Sequence, residues 1–457
     1  MQAAVRGPIL NPLADGSVEF FSDGVIVPTN GGTTIDYIGP YDATRHANLH
    51  IRETTNLILP PLVDCHIHIP QHPIRGRFVE GVPDDVPHGR LLAGLERNVF
   101  PAEARCDDAA FAEAVVRQFL ADTLAQGVVG GAAYMTVSPL ATRVALEMLP
   151  KSWAVGLVLM NQNCPAYLRT NEATLDRDIA DLAGEFGQRL IVTDRFAVAV
   201  DTPLRTRGVA LARKHGLRMQ THLNEQLGEK AFVEKTLYET YASYTDVYRV
   251  DGLLDHSPIM AHCVWMNERE WDMLANVDSF IAHCPTSNAL LGSGTMPLDR
   301  VKERGLPFAI CTDVGASPTT SLLAEMACFL RVHEGRSTAA TPSEALYRVT
   351  LGTDAVLQHA PRAAGFVVGE AMSFIEVQPM SAIPAGVFSS DEVIAKYLLG
   401  HAPASAVLQS AYDGLATAGL QTGPLLVAID ADIAEAKQRL EGRVRRVVLA
   451  GEDVLEV

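Results

Sequence analysis

Five polar residues stand where short apolar runs end: His66 and His68 in LVDCHIH, His222 in LRMQTHL, His262 in PIMAHC and Asp313 in LPFAICTD. Two histidines separated by one residue on a strand project to the same face, so His66 and His68 can reach one ion at roughly 2.0–2.1 Å, the length of a zinc–nitrogen bond. Three histidines and a carboxylate leave a coordination position for water, which is how a catalytic centre differs from a closed structural one. Water held there would have its pKa lowered from about 15.7 towards 7, giving a nucleophile suited to an electron-poor ring carbon. Glu225, three residues past His222 in THLNE, lies where a loop can turn its carboxyl over such a centre and carry protons from the water to a ring and a leaving amine. A solitary histidine at a strand end is ordinarily a hydrogen-bonded core or surface residue, but here that explanation must hold separately for each of five residues. His283 in IAHCPTSN follows the same pattern and reads equally as a supporting or a structural residue. His46, His50, His72, His88, His215, His256, His333, His359 and His401 have no comparable spacing and read as solvated or packing side chains.

The elements that must position these residues follow from the hydrophobic pattern. From residue 58 onward, eight apolar runs alternate with helix-like stretches: LILPPLVDCHIH, GVVGGAAYM, WAVGLVLM, RLIVTDRF, LRMQTHL, PIMAHC, SFIAHC and LPFAICTD. Several intervening segments, such as PLRTRGVALARKHG, end in the glycine of a helix C-cap. Eight strand–helix alternations predict an α/β fold, a closed (β/α)8 TIM barrel whose strand C-terminal ends converge on one face. Residues 1–57 (VEFFSDGVIV, IDYIGPY) and 367–457 (SFIEV, VRRVVLAGEDVLEV) show strand-like runs with turns, with helical excursions near DEVIAKYLLG and ADIAEAKQRLEG. They predict one small β domain built from both termini around a barrel spanning 58–366.

Composition narrows the class of ligand. A net charge of −17 opposes a nucleic-acid partner, since binding phosphate backbones depends on Lys and Arg, and a free small molecule is the expected substrate. No apolar run approaches the roughly 18 residues of a membrane span, and MQAAVRGPILNPLADG lacks the charged-then-apolar order of a signal peptide, so the cytoplasm is the expected compartment and no membrane partner is predicted. Seven cysteines are an odd number, with no CxxC pair, and suggest neither a disulfide framework nor a thiolate metal site. Strict strand alternation predicts that Cys65 and Cys263 face away from their histidine neighbours. The chain has no HExxH helix, phosphate-binding GxxxxGK[ST] loop, GxSxG elbow or HxE…PCxxC deaminase signature.

LVDCHIHIPQ, THLNE, MAHCVWMNEREWDML, IAHCPTSNALLGSG and CTDVGA together resemble the amidohydrolase superfamily. PQ after the histidine pair, VFPAE at 99–103, MNQNCPAYL at 160–168, RF at 195–196 and YTDVY at 244–248 resemble the guanine deaminases within it. The resemblance implies that His66, His68, His222 and Asp313 hold one zinc ion, that Glu225 shuttles protons with Asp313 sharing base duty, and that His262 hydrogen-bonds the water or the tetrahedral centre. It further implies that Gln71 and Arg195 hydrogen-bond the polar edge of the purine while Phe196 shapes the pocket, that guanine yields xanthine and ammonia, and that the protein is a homodimer. The residues alone agree on the chemistry: Gln71 offers donor and acceptor and Arg195 a planar fork, although a salt bridge with Asp194 or another carboxylate is the rival role for Arg195. The same ligands also suit Fe2+. The sequence departs from the family at TDRF, where T-P-R-F is common; in LLAGLERN, which lacks an aromatic where an E-W-L run often stands; after the last ligand, in ASPTTSLLAEM; and in lacking a C-terminal G-x-x-A-D-F. These departures touch the pocket and its lid rather than the metal, and leave open a related ring such as an aminotriazine, 8-oxoguanine or a pterin. A barrel kept only for binding would be expected to have lost ligands, and this chain has every one.

Overall fold

The computed structural model describes residues 3–83, 86, 88–357, 365–384, 386–419 and 424–456; His359 lies outside them. Eight parallel strands form the barrel in chain order: Leu62–His68, Val128–Tyr134, Trp153–Leu159, Leu190–Asp194, Arg218–Leu223, Ile259–His262, Phe280–His283 and Phe308–Ile310. Each expected run supplies one barrel strand. The ring is completed just past the eighth strand, where Asp313 N donates to His66 O (2.9 Å) and His68 N to Val314 O (2.7 Å), so the last expected ligand is tied to the first two by backbone hydrogen bonds.

The helices form where local signals agree. In Thr202–His215, Asp201 caps the start by accepting from Leu204 N, and Pro203 sits in the first turn where its missing N–H costs nothing. Arg213, Lys214 and His215 face the negative end of the helix dipole, and Gly216 leaves the helix at φ 64°, a left-handed conformation that glycine adopts without strain.

The barrel interior is filled by small residues from successive strands, among them Val63, Cys65, Ala132, Ala154, Ala261, Ala282, Ala309 and Cys311. Cys65 therefore points into the barrel, not away from it. The pairing with the second strand slips between Asp64 and Ile67, and this bulge lets Cys65 and His66 break the expected alternation. Cys263 follows the expectation and packs in the outer core. Above this layer Gln220 Nε2 donates to Thr193 Oγ1 (2.9 Å). A side chain at Gly156 would collide with both groups, so glycine is required there.

The second sheet draws strands from both ends of the chain, in the order Glu452–Glu456, Val444–Leu449, Phe374–Val377, Leu57–Leu59, Ala4–Pro12, Val18–Pro28, Ile35–Pro40. The expected architecture, a barrel with a small β domain assembled from both termini, is the one observed. Its junction splits the first apolar run: Leu57–Leu59 pairs within the small sheet, Pro60 and Pro61 interrupt the pairing, and Leu62 begins the barrel. Helices Ala406–Ala418 and Pro424–Leu440 lie against the barrel helix Leu322–His333, where Ala411, Tyr412, Leu415, Ile429 and Ile433 meet Cys328 and Val332.

Candidate active site

At the C-terminal ends of the strands, His66, His68, His222 and Asp313 each bring one ligand atom within 4.8 Å of all the others. His68 Nε2 lies 3.2 Å from Asp313 Oδ1 and 3.4 Å from His222 Nε2. His66 is fully buried, and its Nε2 meets only Asp313 Oδ1, at 3.3 Å and outside hydrogen-bond geometry. Leaving a buried nitrogen unpaired costs about 1–3 kcal/mol unless something else takes its lone pair.

The protonation states suit a cation. Burial holds His66 down at about 4, and burial together with the neighbouring imidazoles holds His222 well below its ordinary value, so both rings are neutral donors. Burial alone would lift the Asp313 carboxyl, but the His66 and His68 imidazoles outweigh it and keep that carboxyl well below the usual carboxylate range. Two strand-end residues, His262 (φ 72°) and Asp313 (φ 52°), have left-handed backbone, a conformation that for residues other than glycine persists only where surrounding contacts enforce it.

The outer contacts fix which nitrogen faces inward. His222 Nδ1 lies 2.6 Å from Arg195 O and donates to it, so Nε2 is the free atom. His262 Nδ1 donates to Asn288 Oδ1 (2.9 Å), and Ser287 Oγ donates to Asp313 Oδ2 (2.5 Å). Ser287 and Asn288 sit on one short helix, Pro285–Leu290, so the PTSN stretch braces two site residues at once. Their chemistry was not legible in the sequence beyond the motif itself. Asp64 accepts from Thr312 Oγ1 (2.5 Å) and from His66 N (3.1 Å), joining the first and eighth strands beneath the site; burial pushes its carboxyl up to about 7.

Glu225 faces the same cavity. Its Oε1 accepts from Ser293 Oγ (2.8 Å), and its Oε2 lies 3.5 Å from His262 Nε2, which otherwise has no partner. Burial, reinforced by Asp313, pushes the Glu225 carboxyl up to about 8. Such a group takes up and gives back a proton near neutral pH. Glu229 fixes the loop that carries it: one carboxylate oxygen accepts from the backbone N–H groups of Glu225 (3.0 Å) and Gln226 (3.1 Å), the other from Tyr244 OH (2.7 Å).

His68, Gln71, Phe78, Arg195, Phe196, His222, Glu225, His262 and Asp313 all line one cavity. Every site residue expected from the sequence except His66 therefore borders one space, and His66 lies directly behind it among the ligand atoms. His283 does not reach it: its Nε2 is 3.2 Å from His333 Nε2 on the outer side of the barrel. Asp194, the expected rival partner of Arg195, instead accepts from Arg205 Nε (2.8 Å), and Arg205 also donates to Asp251 (2.8 Å). That buried triad braces the strand end preceding Arg195 and Phe196. Arg195 pairs with another carboxylate, Glu103 (2.6 Å), so the rival salt-bridge role is met in the structure while the guanidinium still borders the cavity. The segment without an aromatic, 91–98, contributes Leu91 and Leu95 to the cavity wall. Phe78 supplies an aromatic instead, and its ring comes so close to Gly94 that a side chain there would meet it at 2.8 Å.

Residues 57–388 match the Amidohydrolase family. Guanine deaminase of Escherichia coli is 29% identical over 396 residues, covering 82% of this chain and 88% of that protein. A probable guanine deaminase of Deinococcus radiodurans is 30% identical over 385 residues, 79% of this chain and 84% of that one. The crystal structure of guanine deaminase from C. acetobutylicum with bound guanine superposes over the whole of both chains with a TM-score of 0.77 at 22% identity, which establishes the shared fold. Among the described residues no helix is long and apolar enough to cross a membrane. With the barrel, the matched residues and a histidine–aspartate group fit for a divalent metal in agreement, this chain belongs to the amidohydrolase family and is similar to its guanine deaminases.

Proposed function

We propose that this protein hydrolytically deaminates guanine to xanthine and ammonia. The observation that carries the reading is the one cavity bordered by a metal-ligand group, the buried Glu225 carboxyl and two polar side chains, Gln71 and Arg195; relatives named guanine deaminases support the choice of ring. His66, His68, His222 and Asp313 would hold one Zn2+, with Fe2+ suited to the same donors. Such an ion acidifies water and so supplies a nucleophile at neutral pH. The remaining steps belong to the chain. Glu225 accepts a proton as water adds to the amino-bearing ring carbon, and passes one to the ring nitrogen. The remaining hydroxyl proton of the tetrahedral carbon then passes, through Asp313 and Glu225, to the exocyclic nitrogen, which leaves as ammonia while the carbonyl forms. His262, its Nδ1–H held by Asn288, offers Nε2 as an acceptor to the adding water, and Asp313 shares the base role. Gln71 and Arg195 take the polar edge of the purine, and Phe196 closes one wall. A cytoplasmic homodimer belongs to the same proposal, its size to be read by light scattering.

The test is ammonia release from guanine by the zinc-loaded protein, beside ammeline, 8-oxoguanine, isoxanthopterin, adenine and cytosine. Guanine turned over well above the others supports the reading. Turnover of another ring alone moves the substrate to an aminotriazine, an oxidised guanine or a pterin, and silence across the panel with zinc bound overturns it.

A further inference from the structure

Among the described residues, Glu103 is the one carboxylate in contact with both expected purine partners. It is 1% exposed, and its two oxygens are divided between them: Oε1 accepts from Gln71 Nε2 (2.9 Å) and Oε2 from Arg195 Nη1 (2.6 Å). Two consequences follow from elementary chemistry. An ionised carboxylate only accepts, so the Gln71 amide must turn its nitrogen towards Glu103 and its oxygen away, where Gly315 N lies at 3.4 Å. The amide is thereby held in one of its two flip states. The guanidinium is also neutralised within the cavity wall, since Arg195 is 3% exposed and has no other carboxylate partner among the described residues. A buried cation that already has its counter-ion gives little reward to an anionic ligand, while its remaining N–H groups still donate to a neutral one.

We propose that Glu103 is a positioning and specificity residue: it locks Gln71 and neutralises Arg195, so that the cavity accepts an uncharged donor–acceptor ring and rejects an anionic one. This rests on the reading of Gln71 and Arg195 as purine partners and names the charge class they select. It also implies that the enzyme's substrate is a neutral base lacking phosphate or carboxylate groups.

The test uses the full-length zinc-loaded enzyme and the isosteric variant Glu103→Gln, with zinc content measured on each. Hypoxanthine, a neutral ring, and urate, an anion at neutral pH, are titrated as inhibitors, and guanine kinetics are run alongside. In the wild type hypoxanthine is expected to bind about tenfold or more tighter than urate. In Glu103→Gln, urate should tighten by about tenfold while hypoxanthine weakens, and the guanine KM should rise about tenfold with zinc content unchanged. A merely structural role would weaken both inhibitors alike, so an unchanged inhibitor ratio in a zinc-replete variant overturns the proposal. If the variant does not fold, the wild-type ratio decides, and a wild type preferring urate overturns it. A wild type that shows the expected ratio but does not turn over guanine removes guanine as substrate and leaves the role of Glu103 standing.

Discussion

The metal end of the cavity and its purine wall are built by different means. His66, His68, His222 and Asp313 come from strand ends of the barrel, and their meeting within 4.8 Å follows from the topology, because all eight parallel strands point their C-termini to one face. Gln71, Arg195 and Phe196 come from the segments after the strands, and their placement depends on partners far away in sequence: Glu103 lies 92 residues from Arg195. A fold can therefore guarantee the chemistry while leaving the choice of ring to a few long-range polar contacts.

The largest effect should come from the metal end. Asp313→Asn, or chelation of the wild type, is expected to abolish ammonia release, with metal analysis showing loss of the bound ion; full activity in a metal-free preparation would contradict the division. Next, Glu225→Gln should lower kcat by about 10²–10⁴ with metal content intact, because only the proton transfers are removed. Near-wild-type turnover in that variant would remove Glu225 from the mechanism.

A weaker effect on activity but a large one on stability is expected at the wall. Asp194→Ala leaves Arg205 buried beside Asp251 without one of its two counter-ions, at a cost of about 3–5 kcal/mol in a denaturant melt. The shift of the strand end should raise the guanine KM more than it lowers kcat. Equal losses in a stable variant would mean that the triad serves the metal end instead.

The smallest effect concerns neither region. Burial holds His333 at about 3, against 6.5 when unfolded, so the unfolded chain binds more protons between those values. Stability is then complete above about pH 6.5 and is lost as the pH falls towards 3. Thermal melts of His333→Gln should show a shallower decline between pH 6.5 and 4 than the wild type, and an identical slope would assign the acid sensitivity elsewhere, for instance to His72, which burial holds at about 4.

What could be read from the sequence follows the same division. The eight strands were legible because each is a continuous apolar run bounded by turn residues, and the ligands because they end those runs. The bulge between Asp64 and Ile67 was not, since nothing in VDCHIH marks where pairing slips, and it turned Cys65 inward. The role of Glu103 was also hidden: VFPAE marks the segment, but only the folded chain brings its carboxylate to Gln71 and Arg195. Ser287 and Asn288 were quoted within IAHCPTSN, yet their contacts with Asp313 and His262 each span 26 residues and depend on how one short helix sits over the barrel mouth. Asp194 read as a rival for Arg195 by adjacency, and alternation along the chain instead sends it to Arg205.

The most direct test of hydrolytic deamination is to run the metal-loaded enzyme on guanine in heavy-oxygen water and analyse the products by mass spectrometry. The account predicts one ammonia per guanine consumed and xanthine carrying a single heavy oxygen at the former amino carbon, with neither formed after chelation. Guanine left intact by protein whose four ligands hold metal, or xanthine formed without solvent oxygen, would contradict it.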